Sequence, residues 1–352
     1  MLSTLLSHAD DEAQTAALAS DGGRAFVSQS LRPYLLAALL DREPDRPAIV
    51  VAGDDRAARD LAAALKAWLD PRVVRYYPSR GVTYESHLAP PPHLVGLRIG
   101  ALDALLERVP AGAGAPVSDA GPAPVVVVSA VALSEKVPDP TLRPHAFALK
   151  KGDLIDLDET ARDLVAAGYE HVDQVEDRGQ FAIRGGLLDL FPATEDRAVR
   201  VDLFGDEIES LRWFSTFTQR SLGEADCIEV APAAELAEEY RELAEIAALE
   251  DQQNRPDIAE LLPVDDFHPF LDLAPQSAGV LIAAEEEVAP ALADHWQDVC
   301  AAFHDQDAHH LYVDPQTIDR ALTERASFSS SGSASFSPRA AMSAVWARKS
   351  YC

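Results

Sequence analysis

Lysine is the residue to look for first, because a phosphate-binding loop of the form G-x-x-x-x-G-K-[ST] needs it. In such a loop the backbone N–H groups and the lysine side chain hold the phosphates, while the Ser or Thr hydroxyl holds Mg²⁺. The lysines of this chain are Lys66, Lys136, Lys150, Lys151 and Lys349, and no glycine directly precedes any of them. The sequence therefore predicts a chain that neither binds nor hydrolyses ATP.

Other residue types with catalytic potential lack the context that their chemistry requires. Ser79, His87 and Asp103 supply the residue types of a hydrolytic triad, but the chain has no G-x-S-x-G elbow to expose a nucleophile. His309 and His310 are adjacent, so they do not share one helical face, and no H-E-x-x-H motif occurs. We predict neither a catalytic centre nor a metal site.

Two short motifs imitate parts of a nucleotide site. Asp10–Gln14 reads DDEAQ, like the acidic box in which a carboxylate at the end of an apolar strand holds Mg²⁺. It precedes every predicted strand, so a solvated helix start is expected. Gly185 and Gly186 lie between two predicted strands and not before a helix, which favours a turn over a phosphate loop.

The charge balance points to protein partners. The net charge of −28, from 58 acidic and 30 basic side chains, excludes a general grip on DNA phosphates over most of the surface. The cations are mostly Arg, which favours bidentate contacts with carboxylates. Cys227, Cys300 and Cys352 lie far apart, and no run of 18 apolar residues occurs. We expect a cytoplasmic protein without a membrane span.

The first 140 residues alternate apolar runs with helical patterns, as in a parallel α/β sheet. The predicted strands read RAFVS, PAIVVA, RVVRYY and PVVVVSA. A helix is predicted from about Asp55 to Leu69, and Val125–Val128 is predicted as a central strand covered on both faces. Residues 110–124 are rich in Pro, Gly and Ala and are expected to form a flexible insertion.

Residues 144–232 have a different pattern, with one helix followed by short strands. Asp158 is predicted to cap the helix, and Gly168 to end it in a left-handed conformation. The strands then predict an antiparallel sheet in an α+β module. If Phe181 and Ile183 point inward, Arg184 points outward. A return to the parallel sheet is expected in residues 233–326, and no core element is predicted in the Ser-rich residues 327–352.

Val175–Leu222 carries three linked motifs. They are R-G-x-F-x-x-R-G-G-x-x-D-x-F-P, F-G-D-E-x-E-S-x-R and T-Q-R-S. The segment resembles domain 2 of UvrB and of the transcription-repair coupling factor (Mfd) family, which binds UvrA. The resemblance covers roughly residues 20–325. UvrB has a phosphate loop, whereas the corresponding segment here reads SDGGRAFVSQSLRPY without lysine, so the resemblance favours the amino-terminal part of Mfd.

The resemblance implies a degenerate RecA/helicase-like α/β domain, formed by residues 1–140 and 233–326. The UvrA-binding module of residues 144–232 interrupts it. It also implies a recruiting role in transcription-coupled nucleotide excision repair, with UvrA as partner and no cofactor in this chain. ATP, Mg²⁺, RNA polymerase and duplex DNA belong to the full-length family, so the chain is expected to be truncated, with a disordered or non-native tail at 327–352.

The resemblance assigns UvrA binding to Arg178, Arg184 and Phe191. In the alternative interpretation Phe191 belongs to the core and both arginines pair with carboxylates such as Glu176, Asp177 or Asp189. For the whole chain, two alternatives are a UvrB-like ATP-dependent subunit and a stand-alone adaptor.

Overall fold

The computed structural model describes residues 3–11, 24–81, 90–106, 121–241, 243, 262–303, 308–327 and 339–343. The α-helices are α1 (Arg32–Asp41), α2 (Asp55–Leu69), α3 (Pro92–Leu106), α4 (Ala130–Ser134), α5 (Leu157–Ala166), α6 (Phe270–Leu273), α7 (Glu285–Phe303), α8 (Ala308–Leu311) and α9 (Pro315–Ser327). Short 3-10 helices span Ser3–Asp11, Pro140–Leu142 and Val264–Asp266. Within these described ranges, no helix is long and apolar enough to cross a bilayer.

The strands are named here in chain order. They are β1 (Arg24–Phe26), β2 (Ala48–Ala52), β3 (Val74–Tyr77), β4 (Val125–Ser129), β5 (Lys136–Pro138), β6 (Phe147–Lys150), β7 (Glu170–His171), β8 (Gln180–Arg184), β9 (Leu187–Leu190), β10 (Ala198–Phe204), β11 (Glu207–Phe214), β12 (Ser221–Ala225), β13 (Cys227–Val230), β14 (Phe267–Pro269), β15 (Gly279–Ile282) and β16 (Arg339–Ser343).

The chain divides into two compact units. The first comprises Met1–Ser79, Ala101–Val137 and His268–Cys352, and the second comprises Arg80–Gly100 and Pro138–Phe267. An α/β unit interrupted by a second unit confirms the fold class predicted from the sequence. The division differs from the predicted boundaries, because residues 80–100 and the residues from 233 to Phe267 group with the inserted unit.

The first unit is built on a parallel sheet with the strand order β1-β16-β15-β2-β4-β3. Strand β4 shows why its sequence is apolar throughout. Val125 and Val127 pack in the core on one face, whereas Val126 and Val128 pack in the core on the other. All four side chains are fully buried, which confirms the predicted central strand.

Helix α2 covers one face of this sheet and has the predicted bounds. The Asp54 carboxylate accepts a hydrogen bond from the Ala57 backbone N–H at 2.7 Å and caps the helix. Leu61 and Leu65 are buried at helical spacing, and Trp68 packs partly buried beside them. The amphipathic pattern therefore predicts this element correctly.

The second unit contains a sheet with the strand order β12-β11-β10-β9-β8-β7. Its pairs are antiparallel except for β7 and β8, which are parallel. Helix α5 precedes the sheet. Asp156, and not the predicted Asp158, caps it by accepting from the Asp158 and Glu159 N–H groups, because Asp156 has the extended backbone of a cap residue. Gly168 follows with φ +94, as predicted.

The Ser-rich segment after residue 327 differs from expectation in one place. The sequence predicts no core element there, but the structure places β16 between β1 and β15 in parallel register. Strand pairing depends on tertiary neighbours more than on local composition. The other residues of that tail, and residues 110–120 of the expected insertion, lie outside the described ranges.

Candidate partner-binding surface

The antiparallel sheet has one face packed on a core and one face that carries charged side chains. Phe181, Leu188 and Val201 on adjacent strands are fully buried on the packed face. Side chains alternate along a strand, so their neighbours point away from that core. We define this second face, the outer face, by the strand residues Gln180, Ala182, Arg184, Leu187, Asp189, Ala198, Arg200, Asp202, Phe204, Glu207, Ser210, Arg212 and Phe214.

A buried ion pair lies at the centre of the outer face. The Arg200 Nε and Nη2 donate to the two Asp189 carboxylate oxygens at 2.6 and 2.7 Å, a bidentate arrangement. These hydrogen bonds raise the pKa of Arg200 above its ordinary value. The guanidinium also lies 4.7 Å from the centre of the Phe214 ring. Arg200 is therefore held on the sheet with its charge compensated.

A second pair lies on the neighbouring strands. The Arg212 Nε donates to an Asp202 oxygen at 3.0 Å, and Nη2 donates to the same oxygen. The Ser210 hydroxyl donates to that oxygen at 2.6 Å. The charges at the centre of the outer face are therefore neutralised by partners on the same sheet. These ion pairs hold neighbouring strands together.

Arg184 differs from these residues. It is exposed where β8 ends, and its Nε and Nη2 both donate to the Asp173 carbonyl oxygen, Nε at 3.1 Å. Within the described part of the chain it forms no ion pair with a carboxylate, so the alternative of a nearby carboxylate partner does not hold for it. A carbonyl holds the guanidinium in place without neutralising it. Arg184 therefore presents a positioned positive charge.

Arg178 is engaged at the opposite end of the sheet. Its Nε donates to the Glu195 carbonyl oxygen at 2.7 Å, and its Nη2 forms an ion pair with Asp196. The carboxylate differs from the three considered in the sequence analysis. The Arg178 side chain is only 20% exposed, so most of its surface is already covered.

Phe191 is partly buried. It packs against a small cluster that includes Val175, Ala182, Ala198 and Phe214. Its N–H donates to the Gln180 carbonyl oxygen at 2.9 Å. This packing is that of a core residue at the edge of the outer face.

The structure does not bring the three predicted site residues together. Phe191 lies opposite Gln180, where β8 begins. Arg184 is four residues further along β8, about 13 Å away. Only Arg184 has the exposure and the uncompensated charge of a partner-binding residue.

The sequence analysis missed Phe204. This side chain is 80% exposed, unusual for a large aromatic residue. Along β10, Val199, Val201 and Leu203 face the core, so Phe204 falls on the charged face. The sequence contains a signal for this exposure, because Phe204 occupies an alternate position of the strand at which the two preceding residues are charged.

In the first unit, the turn after β1 does not offer the donors of a phosphate site. The N–H groups of Leu31 and Arg32 donate to the Ser28 carbonyl oxygen at 3.0 and 3.2 Å, and Pro33 has no N–H. A phosphate loop needs such groups free and pointing at the ligand. The start of α1 therefore lacks that arrangement.

Asp55 joins the carboxyl ends of three strands of the parallel sheet. Its carboxylate accepts from the Ser79 N–H at 3.0 Å, from the Ser129 hydroxyl at 2.7 Å and from the Ser79 hydroxyl. The Ser79 hydroxyl is thus bound to Asp55, whereas His87 of the considered triad lies outside the described residues. No group of metal-binding side chains occurs in the described residues. Gly185, with φ +62, lies in the β8–β9 turn, as expected.

A buried charge cluster stabilises the second unit. Glu235 is 6% exposed and accepts from Arg80 at 2.9 Å and from Arg98. Burial alone would raise the pKa of this carboxyl, but attraction to Arg80 and Arg98 outweighs burial and lowers it to about 2. Glu235 is therefore ionised and joins the 80–100 segment to the end of the inserted module.

The strands of the outer face all lie within a single family match. Residues 147–236 match the UvrB interaction domain. The domain includes α5, both sheet faces and Glu235, whereas Arg80 and Arg98 lie outside it. The predicted resemblance of this segment to UvrB domain 2 is confirmed.

Two curated transcription-repair-coupling factors and one curated UvrABC system protein B are similar in sequence to this chain. The transcription-repair-coupling factor of Escherichia coli (strain K12) is 34% identical over 190 residues, which cover 54% of this chain and 15% of that protein. The factor of Myxococcus xanthus is 37% identical over 224 residues, 60% of this chain and 18% of that protein. UvrABC system protein B of Acinetobacter baylyi is 30% identical over 207 residues, 54% of this chain and 28% of that protein.

The chain thus spans 15 to 18% of the length of these two coupling factors. It is similar to only part of each of them.

Proposed function

We propose that the UvrB interaction domain of this chain binds UvrA through the outer face. The chain then acts as the UvrA-recruiting region of a transcription-repair coupling factor in transcription-coupled nucleotide excision repair. RNA polymerase and duplex DNA are partners proposed for the longer family members.

The observation that carries the proposal is the pairing of a free charge with an exposed aromatic at one end of the outer face. Arg184 is held by a carbonyl and keeps its charge, and Phe204 is 80% exposed two strands away. Arginine and aromatic residues dominate binding energy at protein interfaces. The Arg200–Asp189 pair lies one row further along the sheet, on the side of Arg184 away from Phe204, and holds two of the strands together.

A UvrB-like ATP-dependent subunit is the rival function, and the start of α1 argues against it. The Ser28 carbonyl oxygen already accepts hydrogen bonds from two N–H groups that a phosphate would need, those of Leu31 and Arg32, and Pro33 has no N–H group. The absence of a G-x-x-x-x-G-K-[ST] motif leaves no lysine for the phosphates.

We expect the chain not to bind ATP. Titrating a fluorescent ATP analogue in the presence of Mg²⁺ should give no saturable signal at micromolar nucleotide. Saturable binding that unlabelled ATP competes away would contradict the expectation and restore the UvrB-like rival.

The proposed partner is tested by isothermal titration of purified UvrA with this chain at moderate salt. Saturable binding is the expected result. A complete lack of binding would reject the proposed function, whether or not ATP binds.

A further inference from the structure

Three segments meet side by side at the end of the outer face that carries Phe204. Phe204 pairs in register with Glu207, and Leu154 forms an antiparallel bridge with Glu207 on the other side. The Ile155 N–H donates to the Asp206 carbonyl oxygen at 2.8 Å and fixes this register. Side chains of directly paired residues point to the same face, so these three side chains form one row.

Their neighbours show which face the row occupies. Ile208 is fully buried in the core of the domain, and Ile155 and Leu203 pack against that core. Alternation along each segment then places Leu154, Glu207 and Phe204 on the outer face. The adjacent row across the sheet contains Arg184 and Leu187, so both rows belong to one continuous surface.

The row combines two exposed apolar side chains with an unpaired acid. Leu154 is 76% and Phe204 80% exposed. They lie on either side of Glu207, about 10 Å apart at the usual strand spacing. Glu207 is exposed and, within the described residues, has no ion pair or side-chain hydrogen bond. Asp153 and Asp206 add exposed negative charge beside it.

We infer that Leu154 and Phe204 form an apolar clamp that receives a basic side chain of the partner, with Glu207 as its counter-ion. Arginine and lysine fit this chemistry, because their long apolar stems cover hydrophobic surface while the charged head reaches a carboxylate. The Phe204 ring also attracts a cation. The inference rests on the proposed function, since the partner that supplies the basic side chain is UvrA.

The clamp gives the binding surface two charges of opposite sign. Arg184 takes an acidic group and Glu207 takes a basic group, with Phe204 between them. Such a pattern fixes the orientation of a partner and excludes partners with the reverse arrangement.

The test compares the affinity of purified UvrA for the wild-type chain and for four variants, which are Leu154→Ala, Glu207→Lys, Arg184→Ala and Phe217→Ala. Phe217 is the matched control, because it is 95% exposed in the turn between β11 and β12, at the end of β11 opposite to Glu207. Leu154→Ala is expected to weaken binding about tenfold, and Glu207→Lys at least as much. Phe217→Ala should bind like wild type. The thermal midpoint confirms that each variant is folded.

The outcomes separate the clamp from the proposed function. If Arg184→Ala weakens binding but Leu154→Ala and Glu207→Lys do not, the clamp is overturned and UvrA binding by the outer face stands. If Phe217→Ala weakens binding as strongly as Leu154→Ala, exposure alone explains the losses and the clamp is overturned. If the wild-type chain does not bind UvrA, both proposals fail.

Discussion

Replacing Glu235 by alanine is expected to lower the free energy of unfolding by about 3–5 kcal/mol, because it removes the shared carboxylate of two buried arginines. Arg80 and Arg98 are 2% and 1% exposed, so water does not readily replace that carboxylate. Urea denaturation measures the effect. Glu238→Ala is the matched control, since Glu238 is exposed three residues away and should change stability by less than about 0.5 kcal/mol.

The same carboxylate predicts a dependence on pH. The pKa of Glu235 is lowered from 4.5 to about 2. A lowered carboxyl pKa stabilises the folded state above the unfolded pKa, and this contribution is lost as pH falls through the folded pKa. The stability difference between wild type and Glu235→Gln should therefore narrow from pH 5 towards pH 2. A constant difference, or a loss below 1 kcal/mol in Glu235→Ala at neutral pH, would contradict the assigned role.

Gly96→Ala is the second change for which we expect a large loss of stability. A Cβ at Gly96 in α3 would lie 1.9 Å from the Ala193 carbonyl oxygen and 2.3 Å from the Ala193 carbonyl carbon. Both atoms belong to the backbone, so helix and loop must move apart. We expect a loss of about 1–3 kcal/mol or more, although alanine by itself favours a helix.

Gly100→Ala is the matched control one helical turn later. Its Cβ would meet the Thr194 Cγ2 at 3.5 Å, an ordinary contact. This variant should be neutral, or more stable by up to about 1 kcal/mol. The melting temperatures of the two variants, measured by thermal denaturation, test this difference in stability. Equal melting temperatures would show that the close approach at Gly96 is not required.

Local patterns predicted the elements whose partners lie close in sequence or whose burial is uniform. The helical spacing in Asp55–Leu69 and the four valines of β4 determine which side chains face a core, and the structure agrees. The parity of β8 also placed Phe181 inward and Arg184 outward.

The sequence did not reveal contacts between distant residues. Glu235 lies 155 residues from Arg80 and 137 from Arg98. The sequence around Glu235 is rich in acidic residues and gives no sign that one of them is buried. Likewise, Arg184 is held by a carbonyl 11 residues away, and a backbone acceptor leaves no signature in side-chain spacing.

The candidate surface was predicted only in part. The sequence named Arg184, but it grouped this residue with Arg178 and Phe191, which the structure places at the other end of the sheet. The sequence analysis did not name Phe204, although the alternation along β10 places it on the outer face.

The affinity of purified UvrA for wild type, Arg184→Ala and Arg162→Ala at moderate salt tests the central claim most directly. Arg162 is an exposed arginine on α5 and serves as the matched control. Among the described residues, the Arg184 side chain hydrogen-bonds to the Asp173 carbonyl oxygen alone, so circular dichroism should show both variants folded. We expect Arg184→Ala to bind about 30-fold more weakly, on the order of 2 kcal/mol, and Arg162→Ala to bind like wild type. Equal affinities for all three chains would remove Arg184 from the site.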